Sequence, residues 1–110
     1  MAGSMTQIES VEEFDTLLRK SQNLVADFTS GWCKPCGFIT PKYNALAQQY
    51  SNVKFVVVNV DKNPVLSRRY DVKELPTFLL FRRSRKVDVC YGLDEDALET
   101  KVKKLASKTN

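Results

Sequence analysis

Residues 24–36 of this 110-residue chain read LVADFTSGWCKPC. The stretch opens with an apolar run of strand type, residues 24–28, which only Asp27 interrupts. Ser30 and the following glycine break any continuing strand, so a short loop is expected next. A helix is predicted to begin at Cys33, because Pro35 is tolerated in the first turn of a helix. The sequence therefore predicts a strand–loop–helix unit with both of its cysteines in the first helical turn.

That position gives the two cysteines a specific chemistry. Unpaired backbone N–H groups and the helix dipole stabilise an anion at a helix N-terminus, so Cys33 is favoured as the thiolate that attacks disulfides. Two intervening residues bring Cys36 back by one helical turn, within reach of an intramolecular disulfide. Pro35 stiffens the turn and should help to set the redox balance. The expected redox group is a Cys33–Cys36 disulfide, with no bound cofactor.

Metal binding is the main alternative for such a pair. A structural zinc site needs four Cys or His ligands, whereas this chain has no histidine and only Cys90 as a third cysteine. The odd set of three cysteines is also unlike a secreted disulfide scaffold and fits a reducing compartment. The redox interpretation is therefore preferred to the metal one.

The remaining sequence alternates between helical and strand patterns. A capping box at Ser10 opens the first helix, and Pro41 should kink the helix that follows Cys33. The predicted elements are a weak strand near 6–8, helix 10–20, strand 24–28, helix 33–50, strand 55–58, helix 64–70, strands 77–81 and 86–91, and a final helix capped by Asp94. This order predicts an α/β fold: a central mixed sheet, five-stranded if the N-terminal strand forms, flanked by four helices on both faces.

Composition limits the range of functions. Residues 5–110 are expected to form one domain, and residues 1–4 resemble the remnant of an expression tag. A net charge of +4 is too small to indicate nucleic-acid binding. There is no apolar run of about 20 residues for a membrane span and no secretory signal at the start. A cytoplasmic protein without membrane attachment is expected.

Taken together, several motifs resemble the thioredoxin family. They run in the family's order and spacing from about Leu24 to Gly92. The matching segments are Ala26-Asp27-Phe28, Trp32-Cys33-x-Pro35-Cys36, Pro41, Asn59-Val60-Asp61-x-Asn63, Leu75-Pro76-Thr77 and Gly92. The resemblance implies a thioredoxin fold and protein-disulfide reductase activity.

The resemblance also implies residue roles. Cys33 would be the nucleophile, Cys36 would resolve the mixed disulfide, and Asp27 would lie beneath them and assist proton transfer. A carboxyl group in an apolar strand should have a raised pKa, which suits that role. Partners would be disulfide-containing target proteins and thioredoxin reductase, which uses NADPH. A monomer is expected, with a dimer through Cys90 or the active-site face as the alternative.

Family likeness further implies a docking surface for target peptides. Pro76 would follow a cis peptide bond that exposes the backbone of Leu75 beside Cys33. The surface would comprise Trp32, Lys34, Pro35, Leu75, Pro76, Thr77 and Gly92.

Some positions depart from the common family pattern. Lys34 stands where glycine is frequent, and its charge should favour the Cys33 thiolate. Val57 replaces a lysine found near the buried aspartate in bacterial members. Cys90 is expected to point away from Val87, Val89 and Tyr91, which would make it partly exposed. The basic cluster in residues 82–86 is interpreted as a solvated turn far from the cysteines.

Two other functions of the same fold remain as alternatives. A disulfide isomerase or oxidase would normally carry a histidine between its cysteines and a secretion signal. A non-catalytic adaptor or chaperone module would commonly lose one active-site cysteine, whereas this chain keeps both.

Overall fold

The computed structural model describes residues 5–107, so the four residues interpreted as a tag remnant lie outside it. Five strands form one sheet: β1 Met5–Gln7, β2 Asn23–Thr29, β3 Lys54–Asn59, β4 Thr77–Arg82 and β5 Arg85–Tyr91. The helices are α1 Val11–Lys20, α2 Lys34–Phe38, α3 Thr40–Gln49, α4 Pro64–Arg69 and α5 Glu95–Ala106. The predicted N-terminal strand is confirmed.

The sheet is mixed, with strand order β1-β3-β2-β4-β5. Strands β1, β3 and β2 are parallel, whereas β4 and β5 run antiparallel to their neighbours. Helices joining parallel strands cover both faces of such a sheet, as the sequence pattern predicted. The carboxyl end of β2 therefore lies beside the start of β4, where Phe28 pairs with Thr77.

One predicted helix is divided in two. The helix expected over residues 33–50 is broken at Ile39 into α2 and α3. Pro41 explains the break, because it has no N–H to donate to the carbonyl of Gly37 and its ring crowds that carbonyl. The predicted kink is thus confirmed, but the described chain has five helices where four were expected.

Successive side chains of the central strands pack alternately into two separate hydrophobic clusters, one on each face of the sheet. In β2, Val25 packs with α3 and α5, while Leu24, Ala26 and Phe28 pack with α1 and α4 on the other face. Asp27 alternates with those last three residues and so points toward the α3 side of the sheet. It is 5 % exposed.

Tyr43 on α3 fastens that helix to the sheet. Its side chain is fully buried, and its hydroxyl lies 2.7 Å from the carbonyl oxygen of Val56 and 3.0 Å from that of Val25. It therefore bridges α3 to both β3 and β2, close to Asp27, which pairs with Val57 in the register of the two strands.

Replacing Tyr43 with phenylalanine should lower the free energy of unfolding by about 1–2 kcal/mol. The change removes a buried hydrogen-bonded hydroxyl and leaves the ring packing intact. Urea denaturation would measure the loss, with Tyr91→Phe as a matched control because Tyr91 is exposed. Equal stability of the two variants would contradict the bridging role.

The structure corrects the expected orientation of β5. Cys90 is buried, at 3 % exposure, in the cluster formed with α3 and α5, whereas Val87 and Tyr91 are exposed. The alternation of apolar and polar residues gave the wrong orientation for two reasons. A bulge opposite Leu80 and Phe81 inserts Val87 as an extra residue in β5. In addition, α5 covers the face of β5 that carries Cys90. The partly exposed thiol expected from the sequence is therefore wrong. Burial also raises the pKa of the Cys90 thiol.

Candidate active site

Cys33 and Cys36 lie where the loop after β2 turns into α2. They form a disulfide, with their Cα atoms 5.4 Å apart. Cys33 is the N-cap of α2, and the backbone N–H of Cys36 donates to the Cys33 sulfur at 3.3 Å. The same N–H would stabilise a thiolate on Cys33 once the disulfide is reduced. The predicted redox pair and its helix-start geometry are confirmed.

The two sulfur-bearing residues differ in access. Cys33 is 9 % exposed and Cys36 is 5 % exposed, while Lys34 and Pro35 between them are exposed. Pro35 occupies the first turn of α2, where its missing N–H is not needed. Of the pair, Cys33 is thus the one more open to a large partner.

Asp27 is a buried acid on the strand that leads to this loop. Burial raises the pKa of Asp27 from its ordinary value of 3.8 to about 7. Desolvation is the cause, since an ionised carboxylate loses hydration inside the protein. Its Oδ1 atom has no hydrogen-bond partner among the described protein atoms. A carboxyl group that titrates near neutrality can both accept and release a proton under cellular conditions.

The segment around Pro76 borders the cysteine loop. The Leu75–Pro76 peptide bond is cis, as the family resemblance implied. Gly92 donates its N–H to the carbonyl of Pro76 at 2.9 Å and has a φ of 73°, a conformation that favours glycine. The pairing of Thr77 with Phe28 sets this segment beside the end of β2. The topology therefore brings both predicted groups, the cysteine loop and the proline segment, to one edge of the sheet.

Large apolar side chains are exposed next to the cysteines in sequence and just after β5, whose last residue pairs with the start of β4. Trp32 is 71 % exposed, and its indole Nε1 donates to Asp61 Oδ1 at 3.4 Å. Phe38 on α2 and Leu93 after β5 are also exposed. Solvent-exposed large apolar side chains gathered beside a reactive group are typical of an interaction surface.

Sequence reasoning missed several residues of this site. Neither the contact of Asp61 with Trp32 nor the exposure of Phe38 could be predicted from local patterns, because both depend on tertiary packing. Ser30 and Thr40 lie against a cavity that also contacts Asp27. For these two residues the sequence offered one signal, a hydroxyl side chain on each side of the cysteine motif.

The grouping of possible metal ligands bears on the zinc alternative. Within residues 5–107, no three His, Cys, Asp or Glu side chains are grouped so that they could hold a metal ion.

Across residues 5–107, no helix is long and apolar enough to cross a membrane. The basic residues 82–86 lie at the opposite end of the sheet from the cysteines, since Arg82 pairs with Asn23 at the start of β2.

Cys33 caps a helix and forms a disulfide with Cys36 one turn later, on a mixed sheet that also carries the buried acid Asp27. These features identify the site as that of a thiol–disulfide oxidoreductase. The thioredoxin family model matches residues 5–104. Thioredoxin from Equus caballus is 38 % identical over 101 residues, covering 90 % of this chain and 96 % of the horse protein. The mitochondrial thioredoxin-3 of Saccharomyces cerevisiae is 33 % identical over 102 residues, covering 93 % and 80 %.

Solved structures agree. The crystal structure of thioredoxin from Trypanosoma brucei brucei superposes with a TM-score of 0.91 at 28 % identity, covering 98 % of this chain and 96 % of that one. The chain belongs to the thioredoxin family, and with its Cys33–Cys36 pair it is a protein-disulfide oxidoreductase.

Proposed function

We propose that this protein reduces disulfide bonds in other proteins, with Cys33 as the attacking thiol and Cys36 as the resolving one. The observation that carries the proposal is the Cys33 sulfur at the start of α2, which accepts the N–H of Cys36 and is the more exposed of the two. A sulfur held there is favoured as a thiolate at neutral pH. Cys36 lies one helical turn further along the chain, at disulfide distance from Cys33 and so in place for the second step.

The reaction then has two exchanges. The Cys33 thiolate attacks one sulfur of the target disulfide, forms a mixed disulfide and releases the other target sulfur as a thiolate. Cys36 loses its proton to Asp27 and attacks Cys33, which breaks the mixed disulfide and releases the second target thiolate. Both target thiolates take up protons. The target gains two electrons, and the Cys33–Cys36 pair is oxidised to the disulfide.

Target proteins would dock on the apolar surface around the cysteines. Trp32 and Phe38 offer exposed aromatic area, and Lys34 and Pro35 lie between the two cysteines in sequence. The segment Leu75-Pro76-Thr77 and Gly92 would border an extended peptide of the target, which can pair with free backbone groups. Such recognition reads little of the target's sequence, which suits a reductase with many targets.

Recycling requires an electron source. We assign that role to thioredoxin reductase with NADPH, in line with the family, and we place the protein as a monomer in a reducing compartment such as the cytoplasm. The burial of Cys90 opposes a dimer joined by a disulfide at that position. The mitochondrial yeast relative shows that the family also works in another compartment.

The proposal is tested by insulin-disulfide reduction with dithiothreitol as the electron source. The protein should make insulin precipitate many times faster than dithiothreitol does alone. A rate equal to that of dithiothreitol alone would overturn the reductase function and favour a non-catalytic adaptor. A second assay that follows NADPH oxidation with thioredoxin reductase and insulin tests the recycling step separately.

A further inference from the structure

The end of the sheet opposite the cysteines carries a concentration of positive charge. It is formed by the last turn of α1, by the hairpin turn between β4 and β5, and by the strand residues next to that turn. Its six cations, which we call the basic end, are Arg19, Lys20, Arg82, Arg83, Arg85 and Lys86. The two segments that contain them, 16–26 and 75–87, have no acidic residue. Because the whole chain has a net charge of +4, the remainder of the chain is net negative, and the molecule is electrically polarised.

The charges of the basic end are not neutralised within the protein. Among residues 5–107, the cations that form ion pairs are Lys42, Arg69, Lys73 and Lys101, and all four lie outside the basic end. Of the six side chains at the basic end, only that of Arg82 is partly buried, and the others are exposed. An anionic ligand therefore has access to these cations without a competing carboxylate of the protein.

The hairpin turn at the basic end departs from the usual preferences of its geometry. Arg83 and Ser84 have φ values of 51° and 71°, so this two-residue turn has a positive φ at both central positions. Such turns favour Asn and Gly, because other residues are strained there. Beside the turn, Arg82 pairs with Arg85 across the two strands, and like charges directly opposite each other are destabilising. Residues that stability alone does not favour point to a function for this end.

An open cleft of about 310 Å³ lies between this turn and the end of α1. The residues that line it are Arg19, Lys20, Ser21, Gln22, Arg83 and Ser84. Hydrogen bonds hold the turn in place: the backbone N–H of Arg83 donates to the carbonyl of Gln22 at 2.8 Å, and the Ser84 hydroxyl donates to the carbonyl of Leu18 at 3.2 Å. Three cations from two elements therefore line one space whose backbone is fixed in advance, which lowers the entropy cost of binding.

We propose that the basic end is a docking surface for an acidic segment of a partner protein, whose carboxylates bind in the cleft to Arg19, Lys20 and Arg83. Guanidinium and ammonium groups donate charge-assisted hydrogen bonds to carboxylates. Among the described residues that line the cleft, none is aromatic or aliphatic. Nucleic-acid bases would stack on aromatic side chains, and a membrane surface would take up apolar ones, so the cleft favours a peptide carboxylate.

This docking surface leaves the cysteines free. Strand β2 runs from Asn23, which pairs with Arg82 at the basic end, to Thr29, next to the cysteine loop. At about 3.3 Å for each residue, the two ends of the strand lie about 20 Å apart. A partner held by its acidic segment at the basic end therefore does not cover the redox pair. The inference thus adds a second surface to the protein, separate from the one proposed for disulfide targets.

Binding of a fluorescein-labelled peptide of ten glutamates to the whole protein, followed by fluorescence anisotropy, tests the proposal. The wild-type protein should bind the peptide at low salt and more weakly as salt is added, because exposed charges are screened. The variant Arg19→Gln/Lys20→Gln/Arg83→Asn should bind about tenfold more weakly than wild type, since each exposed charge pair contributes modestly. A wild-type protein that does not bind the peptide at low salt would overturn the proposal.

The matched control loses the same amount of charge elsewhere. Lys62→Gln/Lys73→Gln/Lys103→Gln replaces three exposed lysines outside the basic end. This control should bind the glutamate peptide within about twofold of wild type, because its charges lie away from the cleft. Equal losses of affinity in the two triple variants would overturn the docking surface, since net charge alone would then explain the binding.

A single substitution separates loss of binding from damage to the fold. Asn is favoured at a positive φ, so Arg83→Asn should have a midpoint of urea denaturation equal to or above that of wild type. Its affinity for the glutamate peptide should nevertheless fall by about twofold to fivefold. Unchanged affinity in Arg83→Asn, or a loss of affinity that is matched by a lower midpoint, would contradict the direct contact.

The nature of the partner is tested with two competing ligands, a ten-nucleotide single-stranded DNA and vesicles that contain phosphatidylserine. Tighter binding of either one than of the glutamate peptide, with the same loss in the Arg19→Gln/Lys20→Gln/Arg83→Asn variant, would overturn the acidic protein segment as the occupant. Weaker binding of both supports it. These measurements involve no turnover, so a failure to reduce insulin would remove the proposed function and leave the docking surface to be judged by its own result.

Discussion

Cys33→Ser is expected to lower the rate of insulin reduction to that of dithiothreitol alone, a loss of two or more orders of magnitude. Serine has nearly the same shape, but its hydroxyl does not ionise near neutral pH, so the attacking thiolate is gone. Losing a nucleophile is among the most damaging changes an enzyme can suffer. The helix start that stabilises a thiolate on Cys33 offers no help to a neutral hydroxyl. The insulin turbidity assay measures this effect directly.

Cys90→Ala is the matched control, because it removes the only other cysteine besides the active pair. Cys90 is buried against α5, away from solvent, and burial raises the pKa of its thiol. The alanine variant should retain the wild-type rate as long as circular dichroism shows that it is folded. A large loss of rate in Cys90→Ala, with Cys33→Ser still active, would contradict the assignment of the attacking thiol.

The second large effect concerns the stability of the oxidised protein and its dependence on pH. The Asp27 carboxyl group has a folded-state pKa of about 7, against 3.8 as its ordinary value. The folded state thus holds this proton more tightly than the unfolded state does. The contribution of Asp27 to stability is therefore greatest below about pH 4, falls as the pH rises to about 7, and is constant above that. At roughly 1.4 kcal/mol for each pH unit, the fall is about 4 kcal/mol.

Asp27→Asn should remove this dependence, since the amide has the same shape and does not titrate. We expect the two proteins to have similar free energies of unfolding at pH 4, and the Asp27→Asn variant to be more stable by about 4 kcal/mol at pH 8. Guanidinium denaturation across that pH range measures the difference. Asp96→Asn, which changes an exposed carboxylate on α5, is the control. A difference between Asp27→Asn and wild type that does not change with pH would contradict the raised pKa.

The sheet was predictable because its strands carry unusually clear signals. The apolar run 55–58 and the run from Thr77 indicate strands covered on both faces, and two clusters do cover them. The position of Pro41 predicted a disturbed helix, although local patterns could not show that the chain breaks at Ile39. On β5 the alternation of apolar and polar residues gave the wrong orientation, because a bulge changes the register and α5 covers the face that carries Cys90.

The site was predictable only in part, because some of its features are local in the sequence and others depend on tertiary packing. Cys33 and Cys36 are close in sequence and share one helical turn, so local rules sufficed. Burial of Asp27 depends on α3 and β3, which are distant in sequence, and only the family resemblance favoured it. The cavity with Ser30 depends on several separate segments, and no sequence pattern encodes such a space.

The most direct test of the reductase mechanism is to trap the mixed disulfide. Cys36→Ser lacks the resolving thiol, so incubation with insulin should leave a covalent adduct that dithiothreitol releases. Peptide mapping by mass spectrometry without reductant should place the adduct on Cys33. An adduct on Cys90, or none at all from a folded Cys36→Ser protein, would contradict the attack of Cys33 on target disulfides.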